Sequence, residues 1–279
     1  MNLSDPGTLK TFLARHGISA SKGLGQHFLC SQKVVDKIAN ALAGCSGVCE
    51  IGPGPGVLTS RISAQCDRLI ALEIDSRMVS ILQESAPKAE VRQLDVLHAD
   101  LAEILKELPE PRGVVSNLPY YITAPLLTKI AEACEKFTVA VLMMQKEVAQ
   151  RVAAPAGHRE RGSLSVYLQS RFEISLIAQV SAAAFVPPPK VDSTVLSFRP
   201  KPTGIEPSLE QDFYALVRFG FAQPRKTLAN NLVAAYRRSR EDILTVLETA
   251  GLEEKIRAHD LTQEHWASIQ SALQGMPLG

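Results

Sequence analysis

Seven short runs of apolar and β-branched residues mark the larger, N-terminal part of the chain: Val48–Ile51, Leu69–Ile74, Glu90–Gln93, Gly113–Ser116, Thr138–Met143, Ile174–Val180 and Thr194–Phe198. Runs of this length, bounded by polar and turn residues, read as strands. Most of the gaps between them carry apolar residues three and four apart instead. Gln32–Ala43 places Val34, Val35, Ile38 and Leu42 on one helical face behind Ser31, a residue suited to capping a helix. The same reading predicts helices over Val57–Ala64, Asp75–Glu84, Pro125–Cys134, Lys146–Ala153 and Gly162–Arg171. Alternating strands and helices predict an α/β fold, a mostly parallel sheet with helices on both faces.

The alternation stops at Arg199–Pro207, where three prolines and a glycine read as a linker. Beyond it no strand pattern remains. Phe213–Phe221, Lys226–Arg238, Glu241–Ala250 and Thr262–Leu273 all show helical periodicity. The expected organisation is an α/β domain over residues 1–202 and a small all-helical domain over 203–279.

Composition changes this picture little. With 279 residues, 46% apolar and 21% charged, the chain has the profile of an ordinary soluble globular protein. The longest apolar run, Val139–Met144, is far too short to span a bilayer. The segment Met1-Asn2-Leu3-Ser4-Asp5-Pro6 lacks a basic stretch followed by an apolar one, so the expected location is the cytosol, and the default expectation is a monomer. Five cysteines (Cys30, Cys45, Cys49, Cys66 and Cys134) in mostly apolar surroundings, without a partner pair or histidine cluster at zinc spacing, read as buried reduced thiols and not as a metal site.

Net charge is +1, which argues neither for nor against a nucleic-acid partner. Local charge says more. Between Phe213 and Arg240 lie Arg218, Arg225, Lys226, Arg237, Arg238 and Arg240 and no acidic residue. Such a stretch is either a solvated helix face or a phosphate-facing patch, and charge alone leaves both open.

The chemistry begins at Glu50-Ile51-Gly52-Pro53-Gly54-Pro55-Gly56-Val57-Leu58-Thr59, which follows a predicted strand and opens a predicted helix. Glycines at every second position let the backbone turn tightly and approach a ligand. In an open α/β sheet such a turn lies at the ligand-binding edge. The spacing is not that of a dinucleotide fingerprint, because the third glycine comes one residue early. Glu73 ends the second strand, where a carboxylate can take both hydroxyls of a ribose, in a nicotinamide or an S-adenosylmethionine site alike. Asp95, at the end of the third strand, adds a carboxylate suited to an exocyclic adenine amine; taken alone it is equally a loop or cap acid. Together the glycine turn, Glu73 and Asp95 favour S-adenosylmethionine.

The fourth strand ends in Asn117-Leu118-Pro119-Tyr120. An exocyclic amine on a base is a poor nucleophile because its lone pair is delocalised into the ring. Two acceptors aimed at its N–H bonds free that pair. The Asn117 side-chain oxygen and the backbone carbonyl of Leu118 or Pro119 can serve, Pro119 stiffens the turn, and Tyr120 offers a face for base stacking. A second candidate stretch, Phe185-Val186-Pro187-Pro188-Pro189-Lys190-Val191-Asp192-Ser193, is stiffened by three prolines. Phe185 could meet the other face of a base and Lys190 a phosphate, or the loop could simply join two strands with Phe185 in the core.

Lys22–Leu29, Glu50–Thr59, Asn117–Tyr120, Phe185–Ser193 and Phe221–Leu232 occur in the same order as in the small-subunit ribosomal RNA adenine dimethyltransferases, the KsgA family, which the chain resembles over about residues 20–235. The resemblance implies a Rossmann-like class I methyltransferase domain followed by a helical C-terminal domain. It implies transfer of two methyl groups from S-adenosylmethionine to N6 of each of two adjacent adenosines in a hairpin loop near the 3′ end of small-subunit rRNA. By position it implies cofactor contacts from His27, Leu29, Gly52, Gly54, Glu73, Asp95 and Asn117. Tyr120 and Phe185 would sandwich the target base beside Asn117, Leu118 and Pro119. Lys190, Arg225, Lys226 and Arg237 are the candidate RNA contacts. Two positions depart from the family's common pattern: His27 stands where many relatives have asparagine, and Pro224 where many have arginine. Two other functions fit parts of the same sequence: a non-catalytic RNA-binding assembly or transcription factor on this fold, and a large-subunit rRNA adenine methyltransferase.

Overall fold

The computed structural model describes residues 1–19 and 26–273, so Lys22–Gly25 of the first motif lie outside the described residues. Nine strands and twelve α-helices are formed among them. The strands are β1 (Phe28–Leu29), β2 (Gly47–Ile51), β3 (Arg68–Glu73), β4 (Glu90–Gln93), β5 (Arg112–Asn117), β6 (Val139–Gln145), β7 (Phe172–Val180), β8 (Phe185–Val186) and β9 (Ser193–Pro200). The helices are α1 (Pro6–Arg15), α2 (Gln32–Ala41), α3 (Val57–Ile62), α4 (Ser76–Ser85), α5 (Leu101–Lys106), α6 (Thr123–Glu132), α7 (Lys146–Ala153), α8 (Ser163–Arg171), α9 (Glu210–Gly220), α10 (Leu228–Tyr236), α11 (Arg240–Thr249) and α12 (Gln263–Leu273).

The chain divides into two units: Met1–Ala149 with Phe172–Pro200, and Gln150–Arg171 with Lys201–Gly279. The expected boundary at 202/203 lies close to the final crossing. The segment Gln150–Arg171, however, groups with the helical part, because Val166 is packed into the core formed by residues of α9 to α12.

In the first unit seven strands form one sheet in the order β4-β3-β2-β5-β6-β9-β7. β9 runs antiparallel to both neighbours, and every other pairing is parallel. β2, β5 and β6 read as nearly continuous apolar runs because both of their faces are covered. The register aligns the strand ends: Ile51 pairs with Leu72 on one side and with Ser116 on the other, and Glu73 pairs with Gln93. Three loops therefore leave the same sheet edge side by side, after Ile51, Glu73 and Asn117. β1 and β8 make a separate two-stranded ribbon, with Leu29 opposite Phe185.

Local signals account for most elements. Asp5 caps α1 by accepting the Thr8 N–H at 2.7 Å, with Pro6 in the first turn. Asp100 does the same for the short α5 through Glu103. Ser31 occupies the cap position of α2 without making the side-chain bond. In the second unit Leu228, Leu232 and Tyr236 line the buried face of α10, as their spacing predicts. That helix starts at Leu228, capped by Thr227, so Lys226 belongs to the preceding turn and Arg237 to the residue closing the helix. The helix expected over Lys226–Arg238 is thus shorter than its periodicity suggested, and neither basic residue lies within it.

Candidate active site

A cleft of about 400 Å³ opens in the first unit at the sheet edge where those loops emerge. This lies within the range of roughly 300–1,000 Å³ usual for small-molecule sites. Its wall includes His27, Leu29, Gly52, Gly54, Glu73, Asp95, Asn117, Leu118, Pro119 and Tyr120. Residues of three separate motifs, together with the strand-end acids Glu73 and Asp95, thus meet at one cavity.

The glycine turn is held open by backbone conformation. Gly52, Gly54 and Gly56 have φ of +68°, +56° and +91°, in the left-handed region that side chains resist. A Cβ on Gly52 would meet nothing within 4 Å, so this residue leaves the floor of the cleft clear. At Gly56 a Cβ would lie 2.5 Å from the Ser85 hydroxyl, so side chains of α4 would have to shift to admit it.

Glu73 fixes the turn from the next strand. One carboxylate oxygen accepts the Gly54 N–H at 3.0 Å and the other the Asp75 N–H at 2.8 Å. Burial raises its pKa, while those N–H donors pull the other way. Asp95 accepts the Leu97 N–H at 2.9 Å and pairs with His98 at 3.0 Å. It is both an acid of the local turn and part of the cleft wall.

A third acid, Glu50 on β2, lines the same cavity although the sequence reading assigned it no role. It is 2% exposed, its Oε2 has no hydrogen-bond partner among the described residues, and its pKa is pushed up to about 8 by burial, with the neighbouring Glu73 charge adding to the effect. The signal was present in the first letter of the glycine motif. Only its burial, a tertiary property, shows that the acid is unusual.

The lining bears on the cofactor that the motifs favoured. Among the described residues it holds Glu50, Glu73 and Asp95 and no lysine or arginine. A sulfonium with ribose hydroxyls and an adenine amine brings the positive charge and the donors that these acids accept. The residues present fit S-adenosylmethionine.

Asn117 ends β5 with its Nδ2 donating to the His27 carbonyl at 3.0 Å. A carbonyl can only accept, so the amide is oriented with Oδ1 left as an acceptor. Pro119 and Leu118 are now distinguished. The Pro119 carbonyl already takes the Ile122 N–H at 3.2 Å and the Thr123 hydroxyl at 3.1 Å. The Leu118 N–H donates to Met143 at 2.9 Å, and its carbonyl accepts no bond among the described residues. Asn117 Oδ1 and the Leu118 carbonyl are the two acceptors that this turn offers.

Tyr120 is half-buried, its hydroxyl bonded to Ser193 at 3.1 Å, and its pKa is raised, chiefly by burial. The His27 ring stacks on it with centroids 5.7 Å apart and planes 26° from parallel, while His27 Nδ1 donates to the Pro187 carbonyl at 2.8 Å. The proline-rich stretch therefore serves the site through Pro187 and Ser193, two residues the sequence reading did not single out.

Phe185 does not line the cleft. It is 2% exposed and packed in the first unit's core, because the pairing of Leu29 with Phe185 in the β1–β8 ribbon commits it there. The structure places the Phe185 ring in this core and not on the cleft wall beside Tyr120, where the expected sandwich needs it. Lys190 is exposed and outside the cleft wall. Arg225, Lys226 and Arg237 are exposed in the second unit. There Asn231, buried, donates to the carbonyls of Gly220 at 2.7 Å and Gln223 at 3.2 Å. The Lys226 N–H returns to Gln223 at 2.9 Å, making a turn in which Pro224 is the second residue. Proline is favoured there, where the turn makes no use of an N–H, so the departure at Pro224 is accommodated. Of the six basic residues, Arg240 is taken up by Glu254 at 2.5 Å and Asn230 at 2.8 Å.

Comparison with known proteins agrees with this geometry. The chain is 39% identical over 287 aligned positions to the ribosomal RNA small subunit methyltransferase A of Bacillus mycoides strain KBAB4, covering 98% of this chain and 97% of that protein. The crystal structure of a dimethyladenosine transferase from Plasmodium falciparum superposes with a TM-score of 0.75 at 27% identity, covering 91% of this chain and all of that one. The 23S rRNA methyltransferase ErmE superposes with a TM-score of 0.68 at 26% identity, over 88% and 99% of the two chains. The family of ribosomal RNA adenine dimethylases matches residues 17–274. By its sequence and by the sheet that carries the cleft, the chain belongs to the ribosomal RNA adenine dimethylase family.

Proposed function

We propose that this chain uses S-adenosylmethionine to dimethylate N6 of two adjacent adenosines in a hairpin loop near the 3′ end of small-subunit ribosomal RNA, as a step in small-subunit maturation. The observation that carries the reading is the pair of acceptors at the end of β5, Asn117 Oδ1 and the Leu118 carbonyl, on the wall of an acid-lined cleft. S-adenosylmethionine supplies a methyl group already activated on a sulfonium. Glu73 and Asp95 would hold its ribose and adenine, Gly52 and Gly54 would let its methionine part approach the backbone, and His27 and Leu29 would close the site from the N-terminal segment.

The remaining work is positioning. The two acceptors take the N–H bonds of the target amine and direct its lone pair toward the methyl group. Neither has to bind a proton for this. Tyr120, held by Ser193, presents a ring near the base, and the target must leave its stack to reach it. In-line alignment of nucleophile and methyl can account for much of the rate. Exposed Arg225 and Lys226, on the turn anchored by Asn231, are the residues best placed to meet phosphates.

The small-subunit substrate is favoured over a large-subunit one because the 39% identical relative carries a small-subunit name along nearly its whole length, against 26% identity to ErmE. A non-catalytic role is disfavoured because the acids and the two acceptors are all in place. The test is incubation with methyl-labelled cofactor and unmethylated small subunits, followed by mapping of the modified nucleotides. The parent should label two adjacent adenosines. Asn117→Ala should keep most of its cofactor affinity and transfer methyl about 10²–10³-fold more slowly, the range seen when one preorganised catalytic hydrogen-bonding group is removed. RNA retention without label would refute the enzymatic reading, and an undiminished rate in Asn117→Ala would refute the role of the amide.

A further inference from the structure

The chain has nine phenylalanines, five tyrosines and one tryptophan, and Tyr121 alone among them is exposed. The residue is 57% exposed, and it lies on the wall of the cleft next to Tyr120. The two neighbours differ in every other respect. Tyr120 is half-buried, bonded to Ser193 and covered by His27. Tyr121 has no hydrogen-bond or ring partner among the described residues. A single exposed apolar side chain needs no explanation in general. Here the other aromatic rings are at least partly buried, and the exception stands at the mouth of the site.

The backbone beneath Tyr121 is fixed. Pro119 precedes it with a locked φ, and the residues Tyr120–Ile122 form a 3₁₀ turn. The Pro119 carbonyl accepts both the Ile122 N–H and the Thr123 hydroxyl. The ring is thus carried by the backbone as a solvent-facing platform at a fixed point of the turn. It follows Asn117 and Leu118 on the β5 side of the cleft, while the acids that would hold a cofactor's adenosine lie on the β3 and β4 side.

We infer that Tyr121 is a second base-binding subsite, a stacking platform for the nucleobase that flanks the target on the single-stranded substrate. The inference rests on the functional reading above. A base drawn into the cleft brings its neighbour to the mouth by covalent continuity, and that neighbour has lost its own stacking partner. An exposed aromatic face at that point replaces the lost stack. In a substrate with two adjacent targets, the flanking base is itself the next adenosine to be methylated.

The experiment compares the parent with Tyr121→Ala, Tyr121→Leu, Tyr121→Phe and Tyr121→Trp. Methyl transfer to unmethylated small subunits gives KM and kcat, and calorimetry gives cofactor affinity without RNA. Stacking on an aromatic side chain corresponds to roughly a five- to hundredfold effect on binding. Tyr121→Ala should raise KM for the subunits about tenfold and leave cofactor affinity as in the parent. Phenylalanine and tryptophan should restore KM, and leucine should not. Restoration by leucine equal to that by phenylalanine would reduce the contact to an apolar rim and overturn the proposal. So would an unchanged KM in Tyr121→Ala, or a loss of cofactor affinity matching the rise in KM. A parent protein that transfers no methyl would sink the functional reading instead. Filter retention of oligoadenylate by parent and Tyr121→Ala then decides the tyrosine on its own, with equal retention counting against it.

Discussion

Glu50→Gln tests the energetics of the acid buried beneath the glycine turn. Glu50 is almost wholly inaccessible, one carboxylate oxygen has no partner, and its pKa stands at about 8 against an ordinary value of 4.5. Between those values the folded chain keeps the proton and the unfolded chain has lost it. The folded state therefore binds more protons, and this group's contribution makes stability fall as pH rises through the window. Each pH unit inside the window corresponds to about 1.4 kcal/mol. Glutamine has nearly the same shape and no such titration. The stability of Glu50→Gln relative to the parent should rise by about 3 kcal/mol between pH 5.5 and 7.5, and level off above pH 8. Any constant offset from altered hydrogen bonding drops out, because the slope is what is read. Urea unfolding across the pH series, followed by far-ultraviolet circular dichroism, measures it. Tryptophan fluorescence alone would not suffice, since Trp266 lies in the other unit. A parent–mutant difference that stays level from pH 5.5 to 7.5 would refute the assignment of a protonated buried acid.

Three further outcomes follow from the geometry. Glu73→Ala removes the acceptor of the Gly54 and Asp75 N–H bonds and should weaken S-adenosylmethionine binding at least about tenfold, in line with hydrogen bonds to a charged group; calorimetry giving the parent's dissociation constant would count against it. Asn231→Ala leaves two carbonyls without their amide donor and should destabilise the helical unit by about 1–3 kcal/mol, read by Trp266 fluorescence in urea, with a parent-like midpoint as the contrary result. Replacing Arg225 and Lys226 by alanine should reduce the slope of log affinity against log salt for RNA by roughly 1.5–2 and spare cofactor binding; an unchanged slope would return both residues to the role of a solvated face.

The parts of the site that could be read in advance are those fixed locally. Glycines at 52, 54 and 56, acids at the ends of β3 and just beyond β4, and Asn117 at the end of β5 were all placed by strand endings, and parallel register then brought them to one edge. Helix α1 also had its signal in Asp5 and Pro6, a cap followed by a first-turn proline, although the periodic runs drew attention elsewhere. Phe185 shows the limit. Its ring could face a ligand or the core, and only its pairing with Leu29 in a ribbon of two residues per strand settled the matter. The choice between the Leu118 and Pro119 carbonyls likewise waited on which one Ile122 and Thr123 had already taken.

The amino-acid sequence by itself determined the seven strands of the main sheet and most of the helices, the glycine turn, the order of the motifs and hence the family, because each depends on spacing along the chain or on the backbone freedom of single residues. Tertiary structure decided what depends on partners distant in sequence: the burial of Glu50, the orientation of Asn117 by His27, the anchoring of Tyr120 by Ser193, the exposure of Tyr121, and the grouping of Gln150–Arg171 with the helical unit. Burial and hydrogen-bond partnership are properties of what surrounds a residue, and those surroundings exist only once the chain has folded.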